Sequence, residues 1–294
     1  MVKIFVGVSI GIVAISFASI FIRFCNDVPS IMIATYRLTL SSVILLIVAK
    51  SKGIRLSSYN KRHILLGMLG GFFLALHFSF WISSLKFTSV ASSVVLVATN
   101  PIFVGLFSYL FFKEKQPAEL ILGIILSFSG SIILAVGDFG VQGLTGQNPS
   151  FLLGDILAFL GAIMASGYLM VGSKLREKMD VLPYISMVYT FSASFLLITS
   201  LSLGIPFTGY KPSSYFYMVL LAIVPQLIGH TAFNWALKHL KASMVAITIL
   251  GEPIGASILA YIIFGETIKS FQSVGIILIF LSIIIASRKA KKYL

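Results

Sequence analysis

The chain has 294 residues, of which 58% are hydrophobic and only 11% are charged, with a mean hydropathy of +1.02. A soluble domain carries about 25% charged residues, so this composition excludes an ordinary soluble protein and indicates a membrane protein. The net charge of +13 does not indicate nucleic-acid binding, because the cations lie between apolar segments and mostly on one side of the membrane.

Ten apolar segments are predicted to cross the membrane as helices, because a backbone in hydrocarbon has to satisfy its own hydrogen bonds. Each is long enough to span about 30 Å at 1.5 Å per residue. In chain order the predicted spans are 3–24, 28–49, 64–85, 90–112, 118–137, 152–174, 182–203, 214–237, 242–264 and 269–287.

The cations alternate between the two sides of this arrangement, and 17 of the 22 fall on the side that carries both termini. The positive-inside rule therefore places both termini in the cytoplasm. We expect a multi-pass protein of a bacterial or archaeal cytoplasmic membrane.

Residues 85–133 and 237–285 align without a gap, with 14 of 49 positions identical. Each half holds five predicted spans, an odd number, so the second half enters the membrane from the opposite side. We predict a first repeat over 1–137, an external linker over 138–150, and a second repeat over 151–294. Inverted repeats are typical of carriers that bind their substrate between the halves.

Two prolines, Pro101 and Pro253, occupy equivalent positions near the centres of spans 4 and 9. Proline lacks an N–H and breaks the helical hydrogen-bond pattern, so each marks either a gating hinge or a kink that shapes packing. Asn100 and Glu252 precede them and are repeat equivalents. Glu252 is a carboxyl group at mid-membrane, which favours proton coupling or recognition of a substrate cation; a structural hydrogen bond is the alternative.

Further polar side chains lie inside spans 3 and 8. His77 and Trp81 are four residues apart and share a helical face, and Gln226, His230 and Asn234 form a polar stripe. Such residues either line a solute path or hold helices together by interhelical hydrogen bonds. The two histidines lack a third ligand at zinc spacing, and Cys25 is the single cysteine, so we predict no metal site.

Arg37 is the only cation near the centre of a predicted span. It could pair with Glu252, bind a substrate carboxylate, or satisfy backbone carbonyls, and we assign it to coupling or gating. Tyr168, inside span 6, could contribute an aromatic wall.

The two repeats resemble the EamA family of the drug/metabolite transporter superfamily. The resemblance is carried by 91–134 and 241–286, where a mid-helix proline is followed by a glutamate at the helix end and a glycine nine residues later: Pro101, Glu114, Gly123 and Pro253, Glu266, Gly275. The branch of aromatic amino acid and metabolite exporters is the most similar. The resemblance implies a central cavity among spans 1, 3, 4, 6, 8 and 9, and a substrate site made by His77, Trp81, Asn100, Tyr168, His230, Asn234 and Glu252.

The sequence therefore predicts a secondary transporter that exports a small amphipathic metabolite, an amino acid that could be aromatic, by alternating access. It contains no Walker loop and predicts no cofactor or enzymatic activity. The expected partners are a small-molecule substrate and membrane lipid, with no nucleic acid, in a monomer or homodimer. Proton coupling and facilitated efflux are both open. The alternatives are transport of a lipid-linked or nucleotide-linked metabolite, or a membrane enzyme acting on lipid.

The orientation can be tested with single reactive cysteines in a chain that lacks Cys25. A cysteine at Gly146 should react with a membrane-impermeant maleimide in intact cells, and one at Lys178 only after permeabilisation. The reverse labelling pattern would overturn the topology.

Overall fold

The computed structural model describes residues 2–56, 59–88, 90–113, 118–143 and 149–265, and the short pieces 273–275, 277–278, 281–282 and 284–285. All regular secondary structure within these ranges is helical. The helices are α1 (Val2–Ser16), α2 (Ala18–Phe24), α3 (Ser30–Ser51), α4 (Lys61–Ser84), α5 (Val90–Val97), α6 (Asn100–Phe112), α7 (Ala118–Gly143), α8 (Pro149–Arg176), α9 (Val181–Ser202), α10 (Pro212–Leu221), a π-helical segment (Ala222–His230), α11 (Thr231–Ala236), α12 (Ala242–Ile249) and α13 (Gly251–Phe264).

Eight segments of this helical chain are long and apolar enough to cross a membrane, which confirms the membrane fold class. They correspond to predicted spans 1–4 and 6–9. Predicted span 5 lies within α7, where 121–130 is a shorter apolar stretch. Most of predicted span 10 falls outside the described residues, so the count of ten, the inversion of the repeats and the side of the termini stay predictions.

The connection between the two predicted repeats is more helical than expected. Helix α7 continues to Gly143 and α8 begins at Pro149, so both ends of the predicted external linker over 138–150 are helical. Glycine and proline are common in membrane helices, so glycines alone do not end an apolar helix. Residues 144–148 lie outside the described part, and the division into repeats remains a prediction.

The expected interruptions of spans 4 and 9 are confirmed. Helix α5 ends at Val97 and α12 ends at Ile249, each four residues before its proline. The ring of a proline clashes with the carbonyl four residues back, which explains both positions.

Two interruptions were not predicted. Span 1 breaks at Phe17, between α1 and α2, and span 8 widens into the π-helical segment around Pro225. Proline removes a backbone donor from span 8, and π-helical turns accommodate such a loss.

Helices α3, α4, α8 and α9 form the centre of the bundle. The most extensive contacts join α4 to α8 and α9, and α3 to α9, while α1 packs against the π-helical segment, α11 and α13. Apolar side chains on the outer surfaces, such as Ile47, Leu65, Leu152, Ile198 and Ile262, are more than 40% exposed and suit a lipid surface.

Glycines permit the closest helix contacts. A Cβ atom at Gly71 of α4 would lie 2.9 Å from the backbone nitrogen of Ser192 and from the backbone oxygen of Val188, both on α9. At Gly251 a Cβ would lie 2.7 Å from Cγ2 of Ile12, and Gly255 faces Ser16, also on α1. The Gly251-x-x-x-Gly255 pattern thus brings α13 against α1, as small residues do in membrane bundles.

Gly71→Ala should lower the melting temperature of the purified protein. The added methyl group meets backbone atoms that cannot rotate away, and such overpacking costs about 1–3 kcal/mol. The matched control is Gly161→Ala in α8, where the new Cβ would make contacts of 3.5 Å with Trp81 and Val97. The control should be neutral or slightly stabilising because alanine favours helix. An equal loss in both variants would contradict the assignment of Gly71 to a tight α4–α9 contact.

Candidate functional site

A small cavity lies where the interrupted helices of spans 1, 4, 8 and 9 meet α4 and α8. All seven predicted substrate-binding side chains line it, although their role in binding stays a prediction. Its lining also includes apolar residues that the sequence analysis did not single out. The lining residues are Ile15, Ala18, His77, Trp81, Val97, Ala98, Asn100, Ala165, Tyr168, Leu169, His230, Phe233, Asn234, Ile249 and Glu252.

The cavity volume is about 40 Å³, which is room for about three water molecules. An amino acid does not fit into such a volume. A molecule larger than water could occupy the cavity only if the helices around it moved apart.

One wall of the cavity is made of aromatic rings on α4. The rings of His77 and Trp81 are nearly parallel, with centroids 6.0 Å apart and an interplanar angle of 5°. Nδ1 of His77 lies 2.9 Å from the backbone oxygen of Gly161 on α8, which fixes the orientation of the imidazole. On the side of span 8, His230 meets the neighbouring Phe78 edge to face at 5.3 Å.

The opposite wall is a hydrogen-bonded chain around Asn234. The hydroxyl of Tyr168 donates to Oδ1 of Asn234 at 2.7 Å, and Nδ2 of Asn234 donates to the hydroxyl of Tyr189 at 3.2 Å. These buried bonds join α8, α9 and α11. Asn234 and Tyr168 therefore serve packing as well as lining the cavity.

Arg176 supports the same wall and corrects one sequence interpretation. Predicted span 6 ends at residue 174, which leaves Arg176 in the loop that follows, but its side chain is only 1% exposed. Its Nε donates to the backbone oxygen of Asn234 at 2.9 Å, and an Nη1 bond reaches the backbone oxygen of Met179. The backbone carbonyls of Asn234 and Met179 thus stabilise this guanidinium group in a buried position.

Polar groups without a partner in the described structure remain at the cavity. Nε1 of Trp81 is a buried donor and Oδ1 of Asn100 is a buried acceptor, and neither has a hydrogen bond there. The backbone oxygen of Asn100 accepts from the hydroxyl of Ser166 at 3.0 Å, so the asparagine itself is firmly placed. Together with the Glu252 carboxyl group, these atoms could pair with a solute that carries both donors and acceptors.

Arg37 lies outside this cavity, behind Phe78. Its side chain is fully buried, its Nε donates to Oε1 of Gln226 at 2.8 Å, and its Cζ lies 4.0 Å from the centroid of the Phe78 ring. Neither of its Nη atoms has a hydrogen-bond partner, and no ion pair with Glu252 is formed, within the ranges that the structure describes. Of the pairings considered from the sequence, the one with Glu252 is absent from this conformation.

The predicted gating prolines lie next to the cavity. The residues on either side of each helix break, Val97 and Asn100 in span 4 and Ile249 and Glu252 in span 9, contribute to its lining. The breaks expose backbone to an internal space, as helix interruptions in membranes require. A gating role of Pro101 and Pro253 stays a prediction.

Polar contacts connect the two halves of the chain at the predicted external ends of the helices. The backbone N–H of Lys211 and the hydroxyl of Ser214 donate to the carboxylate of Asp27, at 2.8 and 2.6 Å. These two bonds, in that order, lower the pKa of Asp27 below its usual value. Thr88 similarly donates to Asp155 at 2.8 Å. These bonds hold the first half of the chain to the second at this end of the bundle.

Several contributors escaped the sequence analysis. Phe78 and Phe233 are phenylalanines in an apolar chain, and Ile15 and Ala18 are ordinary core residues, so no pattern marked them. Gln226 belonged to the predicted stripe but contacts Arg37 instead of the cavity, because the π-helical segment changes the angular spacing of its side chains. Among the described residues, no three His, Cys, Asp or Glu side chains converge as metal ligands.

Two substitutions compare the stability cost of removing a polar group without a partner with that of removing one that has a partner. Trp81→Phe removes a donor that has no partner, so its cost should be only that of the smaller ring and its lost apolar contacts. Tyr168→Phe keeps the ring but leaves Oδ1 of Asn234 without its donor, and should cost about 1 kcal/mol. Thermal denaturation of the purified variants checks this, and a Tyr168→Phe protein as stable as the wild type would show that the Tyr168–Asn234 bond does not stabilise the bundle.

Comparison with known proteins assigns the chain to a family. The model of the EamA-like transporter family matches residues 3–136 and 152–288. Similar proteins include an uncharacterized transporter of Clostridium kluyveri, 27% identical over 71% of this chain and 67% of its own length, and the uncharacterized transporter YyaM of Bacillus subtilis, 25% identical over 84% and 80%. A crystal structure with 16% identity superposes with a TM-score of 0.80, covering 100% of this chain and 99% of its own, which supports the fold. The chain belongs to the EamA family of the drug/metabolite transporter superfamily and is a multi-pass membrane transporter.

Proposed function

We propose that this transporter exports a small amphipathic metabolite, an amino acid, by alternating access between two inverted five-helix repeats. The observation that carries the proposal is the convergence of seven polar or aromatic side chains on one cavity between the halves. Polar groups inside a membrane are costly, so such a cluster around a cavity favours a substrate site over helix packing alone.

Helix contacts support the repeat relation. In the proposed repeat, span 3 is equivalent to span 8 and span 6 is equivalent to span 1. A contact between spans 3 and 6 therefore predicts one between spans 8 and 1. Both pairs pack together, as α4 with α8, and as the π-helical segment and α11 with α1. The pair of spans 4 and 6 likewise becomes spans 9 and 1, and α6 packs on α8 as α13 packs on α1. Spans 2 and 7 exchange with each other, and α3 packs on α9. Such matched contacts are expected of two equivalent units and support the proposed repeat.

The chemistry of the cavity favours an amino acid. The Glu252 carboxylate and Oδ1 of Asn100 suit a substrate ammonium group, and the indole N–H of Trp81 suits an oxygen acceptor. The rings of Trp81, Tyr168 and Phe233 provide apolar walls for a side chain. We therefore favour the aromatic amino acid exporters as the functional branch.

Glu252 provides a physical route to coupling. A carboxylate among apolar walls is unfavourable unless it holds a proton or faces a cation. Substrate ammonium and proton then compete for the same group. The carboxylate binds the substrate on the inside and releases it on the outside. It then takes up a proton outside and carries that proton inward when the site returns. One substrate molecule is thus exported in exchange for one proton. Prolines 101 and 253 would be the positions where the helices flex.

The transporter would act in a bacterial or archaeal cytoplasmic membrane, with both termini inside. One copy, alone or in a homodimer, contains the complete proposed site. Opening toward the outside would require the contacts of Asp27 with Lys211 and Ser214 to separate.

Glu252→Gln should abolish the dependence of amino acid efflux on an inward proton gradient. In proteoliposomes, wild-type protein should release preloaded tritiated phenylalanine or a related amino acid faster when the acceptor side is acidic. The variant should lose about 10-fold or more of this flux, because a charge-assisted bond is lost. The matched control is Glu177→Gln, an exposed carboxylate in a surface pair with Lys174, which should transport normally.

Two outcomes would contradict the proposal. Equal pH-dependent flux in Glu252→Gln and wild type would exclude coupling through this carboxyl group. Failure of wild-type protein to move any of the twenty amino acids, while binding or moving a lipid-linked or nucleotide-linked metabolite, would exclude the substrate class. Trp81→Ala should weaken binding of phenylalanine more than binding of alanine if the aromatic branch is right.

A further inference from the structure

A second, larger cavity lies at the end of the bundle where α4 begins and α8 ends. Its volume is about 850 Å³, and it is a groove between α4, α6 and α8. None of its lining residues belongs to the central cavity. It therefore needs an explanation separate from the proposed substrate site.

The body of the groove is apolar. Its walls include Leu66, Leu69, Phe73, Phe107 and Phe111. The groove has room for many water molecules, yet walls of this kind offer water few hydrogen-bond partners. Hydrocarbon is the filling that such walls favour in a membrane.

The chemistry changes at the mouth of the groove. Arg62 and His63 lie at the start of α4, and Lys174 and Lys178 at the end of α8 and just beyond it. The one acidic residue of the lining, Glu177, is paired with Lys174 at 3.0 Å. Arg62 and Lys178 have no side-chain hydrogen bond or ion pair to any other residue within the described ranges. Among the described residues, the mouth thus carries two cations without an acidic partner.

We propose that this groove binds one anionic phospholipid, with its phosphate between Arg62 and Lys178 and an acyl chain along the phenylalanines. Cations at one end and apolar walls behind them match the two ends of a lipid. The same end faces the cytoplasm in the predicted orientation, where basic pockets between membrane helices meet anionic headgroups.

Binding there would act on the helices of the proposed site. A Cβ at Gly167, in the floor of the groove, would lie 2.9 Å from the ring of Phe73, so the ring seals α4 against α8 at this point. Those two helices also carry His77, Trp81 and Tyr168. An acyl chain wedged beside Phe73 would therefore stabilise one spacing of α4 and α8.

The test is lipid binding to the purified, detergent-solubilised full chain, measured by native mass spectrometry. Dioleoyl phosphatidylglycerol and dioleoyl phosphatidylcholine share their acyl chains and differ in headgroup charge. We expect one phosphatidylglycerol to bind at least about 5-fold more tightly than phosphatidylcholine. The double substitution Arg62→Gln with Lys178→Gln should weaken the binding of phosphatidylglycerol by about 5-fold for each cation removed, or about 25-fold in total.

The matched control removes two cations of the same membrane face, Lys50→Gln with Lys52→Gln, which lie outside the groove. Its affinity for phosphatidylglycerol should equal that of wild type. Equal weakening in both double variants, or equal affinity of wild type for the two lipids, would overturn the proposal.

The apolar half of the site is tested with ring insertions. Leu69→Trp should block binding by filling the groove, whereas Leu65→Trp, one turn earlier on the outer surface of α4, should not. Glycerol phosphate, which has the anion without the chains, should not compete. Competition by it at the same concentration would assign the groove to a soluble anion. These measurements need no transport, so their failure leaves the amino acid proposal standing.

Discussion

Water is absent from the hydrocarbon core of a membrane, so each polar atom that enters it has to find its partner in the protein. Several serine and threonine hydroxyl groups among the described residues meet that constraint within their own helix. Thr35, Ser41 and Ser79 each donate to the carbonyl four residues earlier on their own helix. Arg176 meets it through the backbone of another helix, and Arg37 meets it only in part, through the bond from its Nε to Gln226. Two of the buried polar atoms that have no partner among the described residues, Nε1 of Trp81 and Oδ1 of Asn100, lie at the candidate site where four interrupted spans converge.

Much of this arrangement could be predicted because lipid makes polar residues conspicuous. Glu252 and Asn100 stand out in apolar segments, and the prolines that follow them specify a helix break through steric exclusion alone. The four-residue spacing of His77 and Trp81 placed both on one face of a regular helix, and α4 is regular. Eight spans followed from length and hydropathy, since hydrocarbon thickness sets helix length. The polar residues that line the central cavity could therefore be named from the sequence.

The remainder depends on contacts between distant segments. Nothing in the neighbourhood of Arg176 in the sequence reveals that the carbonyl of Asn234 will receive it. The π-helical segment arises from Pro225 together with the packing of α1, and it rotated Gln226 away from the cavity and toward Arg37. Phe78 separates that arginine from His230, yet a phenylalanine in an apolar helix carries no distinguishing pattern. Such features are set by tertiary packing.

The interruptions of the helices are unevenly distributed between the units of the proposed repeat. Helices α4 and α8 run unbroken, whereas their proposed counterparts, span 8 and span 1, are divided at Ala222–His230 and at Phe17. Fully equivalent units would make the inward-facing and outward-facing forms equal in energy, because a two-fold rotation in the membrane plane would interconvert them. Because α4 and α8 are continuous whereas spans 8 and 1 are interrupted, the two forms would differ in energy. The resting population would then favour one orientation without any gradient, and the slower half of the turnover cycle would be the one that bends the continuous pair.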